Sequence, residues 1–304
     1  MSAFLDPLDW SFPTGPANPD GTIAGLGRKV LAGPAQGAVH TELAAGRLEP
    51  GGWLGRHVHS FEESLYLLAG ELVLELDGRP WRLVAGDFAL IPIGTWHLLA
   101  NLGSEPVRWV SMNSPVRRTP ADPRRDTFFR RGAPDLAQLA GAGVPAFGSP
   151  TVRGVGHYTG TPPQAEAFGI VGPARGRAPA GLDTAVLAYS GISVKMLIDR
   201  GLGADHLTVF TVDYEVGGAA QSHDHPFEEA YLILEGEVEA VFDGETRRLG
   251  PGDVAFAAVG VSHAFYNDGP ARVRWLETQA PQPPGRHAYR WDQTWAAFDP
   301  SRAP

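Results

Sequence analysis

Apolar and polar residues alternate with a period near two through much of the chain, as in "HLTVFTVDYEV" at 206–216 and "EAYLILEGEVEAVFDG" at 229–244. That period belongs to an extended strand with one buried face, and the runs end at Gly, Pro, Asp and Asn, so the pattern predicts many short strands. "ELDGR" at 75–79 and "VFDGE" at 241–245 place Asp-Gly between apolar-rich runs, the signal of a tight hairpin. A helical period is hard to find. The best candidate, "APDLAQLAGAG" at 133–143, lies between the two regions that carry the polar motifs described below.

Those regions repeat one another. An offset of 166 aligns residues 25–110 with 191–276 without a gap, matching Gly25 with Gly191, His40 with His206, Asp77-Gly78 with Asp243-Gly244, and Arg108-Trp109 with Arg274-Trp275. A β unit of that size must bury one sheet face, so each copy is expected to form a small antiparallel barrel or sandwich and the two to pack together. The expected layout is all-β: domain 1 over 22–114, connecting segment over 115–186, domain 2 over 187–280, and a tail over 281–304.

Composition narrows the chemistry. The chain has no cysteine, which excludes disulfides, thiolate catalysis and cysteine-ligated metals. The net charge of −9, with the basic residues scattered apart from short runs such as "RRDTFFRR" at 124–131, argues against nucleic acid as a partner. The opening "MSAFLDPLDWSFPTGP" lacks a basic start followed by an apolar core, and no apolar run approaches membrane-spanning length, so a cytoplasmic location without membrane contact is expected.

Polar chemistry concentrates in "HVHSFEES" at 57–64 and "HDHPFEEA" at 223–230. On a strand His57 and His59 share a face and can share one ligand atom, with the Glu63 carboxylate completing a site; His223, His225 and Glu229 repeat the spacing. Glu62 and Glu228 also repeat, but alternation turns them away, toward a surface or interface role. The first copy reads GxxxxxHxHxxxExxxxxxG from Gly51 to Gly70, then GxxxxxPxGxxHxxxN from Gly86 to Asn101. The second copy repeats both, from Gly217 to Gly236 and from Gly252 to Asn267, with Ala258 in place of the proline. These strings resemble the two signature motifs of the cupin superfamily. The resemblance implies a bicupin: two double-stranded β-helix barrels, with ligands His57, His59, Glu63 and His97 in the first and His223, His225, Glu229 and His263 in the second. Three neutral imidazoles and a carboxylate suit a divalent transition metal (Fe, Mn, Ni, Cu, Co or Zn), up to two per chain, and are too rich in nitrogen for calcium or magnesium.

Continuing the inward parity predicts an apolar first pocket lined by Trp53, Leu65 and Leu99. The second would present Phe265 together with Gln221 and Tyr231, two polar tips that make these last the candidate catalytic residues. The resemblance implies a metal-dependent dioxygenase for a small aromatic or enol-type substrate. The alternatives are a non-oxidative isomerase, decarboxylase or aminohydrolase, and a non-catalytic ligand-binding bicupin. The expected partner is a small-molecule substrate, with a homodimer compatible with this reading.

Overall fold

The computed structural model describes residues 4–116, 126–141, 155–157, 189–283 and 290–291. The first copy folds into β1 (Ile23–Ala32), β2 (Glu42–His59), β3 (Glu62–Ala69), β4 (Glu71–Leu76), β5 (Arg79–Val84), β6 (Asp87–Ile91), β7 (His97–Ala100) and β8 (Val107–Ser114). Between the copies lie β9 (Thr127–Phe129), helix α1 (Leu136–Gly141) and β10 (Val155–His157). The second copy forms β11 (Tyr189–Ile198), β12 (Thr208–Asp224), β13 (Glu228–Glu235), β14 (Val238–Phe242), β15 (Glu245–Leu249), β16 (Val254–Ala257), β17 (His263–Tyr266) and β18 (Val273–Ala280), followed by β19 (Arg290–Trp291). The helix stands inside the one stretch whose spacing is helical.

Each copy closes into a nearly complete barrel. The first sheet runs β10-β6-β3-β8-β2-β7-β4-β5, with β1 and β9 also paired to β2. The second runs β15-β14-β17-β12-β18-β13-β16, with β11 and β19 paired to β12. The turn chemistry explains several motif residues. Asp77 and Asp243 both take φ 46°, and the glycines after them φ 79° and 83°, the left-handed pair that a two-residue hairpin needs. Gly70 and Gly236 end the first motif at φ 80° and 74°, where a Cβ would come within 2.8 and 2.4 Å of the carbonyl oxygens of Pro106 and Arg272.

Three apolar layers hold the molecule together. Leu48, Leu65, Leu67, Leu99 and Trp109 fill the first barrel, and Tyr214, Tyr231, Ile233, Phe265 and Trp275 fill the second. A third cluster belongs to both, with Leu43, Tyr66, Phe88 and Met112 of the first copy against Leu207, Leu232, Phe256 and Leu276 of the second. Polar caps reinforce that seam. Glu62 accepts hydrogen bonds from the backbone N–H groups of Asp205, His206 and Leu207 at 2.8–3.1 Å, and Glu228 accepts from Val39, His40 and Thr41 at 2.6–3.0 Å. The two glutamates thus serve the interface between barrels, and His40 and His206 lie in the loops they cap. The N-terminal segment crosses the same seam: Phe4 bridges Ala255 on β16, and further along Gly15 N–H donates to Leu26 O of β1. At the matching position of the first barrel, Ala89 on β6 pairs with Val155 of β10.

Candidate metal centres

Strand pairing assembles the histidines. His57 and His59 lie on one face of β2, and His97 at the head of β7 stands directly across from His57. On β12 and β17, His223 faces His263 in the same way. Ring centroids are 3.8 Å apart for His57–His97 and 4.7 Å for His59–His97; the second triad gives 4.3 Å for His223–His263 and 4.9 Å for His225–His263. In each triad one ring nitrogen from every histidine lies within 4.8 Å of the others, and all six residues are buried. Phe61 and Phe227 stack flat against His59 and His225, at 4.0 and 3.9 Å.

The tautomers follow from the backbone. All six Nδ1 atoms face carbonyl oxygens at 2.6–3.0 Å: Gly55, Phe61 and Thr95 in the first barrel, Gln221, Phe227 and Val261 in the second. A carbonyl only accepts, so each Nδ1 carries the hydrogen, and the neutral ring keeps a lone pair on Nε2. Three such lone pairs converge in each barrel. His97 Nε2 is fully buried with no hydrogen-bond partner among the described residues, a costly arrangement unless something with an empty orbital or a proton sits there. The donor set therefore fits a cation of the borderline transition series.

Each triad has its carboxylate. Glu63 Oε2 lies 3.2 Å from His59 Nε2, and Glu229 Oε2 lies 2.8 Å from His225 Nε2 and 3.3 Å from His263 Nε2. Burial holds His97 well below the ordinary imidazole range, helped by the neighbouring rings of His57 and His59. Burial and His263 push His223 down to about 3. At His225 burial alone would do the same, but the Glu229 charge and hydrogen bond outweigh it and raise the ring, while Glu229 is held well below its usual value by His225 and His263 despite its own burial.

A polar network surrounds the carboxylate of the second centre. The Tyr231 hydroxyl donates to Glu229 Oε2, and Gln279 Nε2 donates to Glu229 Oε1 at 2.6 Å. Trp275 Nε1 donates to Glu277 at 3.0 Å, and burial together with the Glu229 charge drives Glu277 well above the usual carboxylate range. The positions of Tyr231, Glu277 and Gln279 correspond to Leu65, Ser111 and Asn113 in the first copy. The signal for Glu277 and Gln279 was present in "VRWLETQA", where both share the inward parity of Trp275, yet sequence reasoning passed over them.

Of the other candidate pocket residues, Leu65, Leu99 and Phe265 are buried inside their barrels. Trp53 and Gln221 are not where strict alternation puts them. Pairs Leu54–Leu99 and His57–His97 on β2, and Ala220–Phe265 and His223–His263 on β12, carry one extra residue on the long strand. This bulge reverses the parity, so Leu54 and Ala220 turn inward. Trp53 packs outside with Leu98, Ala100 and Leu139 and donates from Nε1 to Gly21 O. Gln221 is exposed and accepts from the Tyr266 hydroxyl at 3.4 Å. Asn101 and Asn267 tie loops together, each accepting from the glycine two residues on.

Residues 46–113 and 210–278 each match the Cupin domain family. Over 101 residues the chain is 32% identical to the polyketide synthase CurC of Streptomyces cyaneus, covering 33% of this chain and 66% of that protein. Over 71 residues it is 44% identical to the dimethylsulfoniopropionate lyase DddQ of Ruegeria pomeroyi, covering 22% and 35%. The matches thus span less than two thirds of either relative's length. Among solved structures, a mutant of the salicylate 1,2-dioxygenase of Pseudoaminobacter salicylatoxidans in complex with gentisate superposes with a TM-score of 0.60 at 16% identity, covering 88% of this chain and 76% of that one. A Pseudomonas aeruginosa protein described as glyoxylate induced gives 0.62 at 19%, covering 95% and 92%. At these identities the structural likeness is one of fold. Two matches to one domain family, each seated on its own barrel, make this chain a bicupin of the cupin family.

Proposed function

We propose that this bicupin is a metal-dependent enzyme that holds a divalent transition metal ion at each histidine triad and dioxygenates a small aromatic or enol-type substrate at the second centre. The observation that carries the metal reading is the backbone's grip on all six Nδ1 atoms, which aims six Nε2 lone pairs into two points beside Glu63 and Glu229. A bound ion would supply Lewis acidity and open positions for substrate and dioxygen. Phe242, Phe265 and Trp275 keep water from the centre. Tyr231 can give or take a proton at its hydroxyl oxygen, and Gln279 orients the carboxylate. The gentisate complex of the structurally similar salicylate dioxygenase supports an aromatic acid as the first substrate class to try.

A non-oxidative reading has its own support. Tyr231 and Glu277, whose carboxyl is driven well above its usual range by burial and the Glu229 charge, place two proton carriers beside Glu229, which oxygen insertion does not need but elimination, isomerisation or hydrolysis does. The partial likeness to a lyase fits the same reading. Turnover of a substrate panel with labelled dioxygen separates the two: oxygen uptake with label in the product is expected, and an undiminished rate under strict anaerobiosis without label would remove the dioxygenase reading and leave the acid–base one.

A further inference from the structure

The carboxylate of the second centre is held from both sides. Gln279 stands directly opposite Glu229 in the β13–β18 register, is fully buried, and aims its amide nitrogen at Glu229 Oε1, with Glu277 Oε1 at 3.4 Å on its other side. Tyr231 occupies the second oxygen, so Glu229 has a donor on each. In the first barrel Asn113 takes the corresponding place opposite Glu63. It is one methylene shorter, and its amide turns to Glu42 at 3.4 Å.

A carboxylate whose two oxygens are already hydrogen-bonded enters coordination with its rotamer and direction set, and such outer partners typically change metal affinity by about 10–100-fold. We propose that Gln279 is a positioning residue which, with Tyr231, fixes Glu229 as a ligand and so slows the release of an ion held at the second centre. This rests on the metal reading above.

The test loads the full chain with cobalt(II) and follows release to excess chelator by the cobalt absorption, with His97→Ala and His263→Ala assigning the phases. The phase lost in His263→Ala belongs to the second centre. Gln279→Met, which keeps the volume and removes the amide, should speed that phase roughly 10–100-fold and shift its spectrum while leaving the first centre's phase in place. A merely structural role would lower the thermal stability of the metal-free protein and leave the spectrum alone. A second-centre phase unchanged in rate and spectrum in Gln279→Met overturns the inference with the metal reading intact; a wild type that takes up no cobalt overturns both. Should Gln279→Met fail to fold, Tyr231→Phe removes the other donor and must also speed the second-centre phase, and failure to do so overturns the inference.

Discussion

His223 shows what the triads cost without their ions. Folded, its ring is pushed down to about 3 by burial and His263, and His97 is lowered in the same sense, whereas an unfolded imidazole titrates near 6.5. As pH falls from about 6.5 toward 3, the unfolded chain binds protons that these folded rings refuse, so stability is present above that window and lost through it. His225 works in the opposite sense, because its raised value stabilises the fold at low pH and fades as pH rises through it. With two lowered rings against one raised, the metal-free protein should lose stability between pH 7 and 4 on this account. Urea midpoints measured across that range check it, and a level midpoint would contradict it. With ions bound, acid should release them in the same window, since a protonated imidazole cannot ligate.

At the scale of elements, the seam between barrels gives a sharper expectation. Glu62 on β3 accepts three backbone N–H bonds from residues 205–207 of the other copy. Glu62→Ala would strand the buried Leu207 donor and two half-buried ones beside it, and should destabilise the fold by ~1–3 kcal/mol in a denaturant titration. A loss below ~0.5 kcal/mol would mean the cap is idle. Glu62 also marks how far a strand can be read from its letters. Period-two counting separates it from Glu63, and places His57 with His59, because β2 and β3 are regular there. The same counting fails four residues earlier at Trp53, and two residues before His223 at Gln221, because a one-residue bulge leaves no mark in composition. The place of His97 opposite His57 is a fact of register between β2 and β7, strands nearly forty residues apart in the chain; the motif resemblance supplied it, and alternation could not. Gln279 was legible by parity, but its task depends on standing across from Glu229, which only the β13–β18 pairing reveals.

The whole molecule is held by a core that neither copy owns. Leu43, Phe88 and Met112 interleave with Leu207, Phe256 and Leu276. The N-terminal segment adds to this, with Leu5 N–H bonded to Val254 O at 3.0 Å on the second barrel and Trp10 O accepting from Arg47 of the first, also at 3.0 Å. A protease site engineered within residues 158–188 tests how much of the union is covalent. After cleavage the two fragments should still elute together on gel filtration and part only in denaturant; separation under native conditions would show that the shared core is too weak to hold them. The chain crossing from one barrel to the other would then act as a device of stoichiometry: it delivers both halves in equal number from one ribosome, and a heterodimer in all but connectivity assembles itself without searching for a partner.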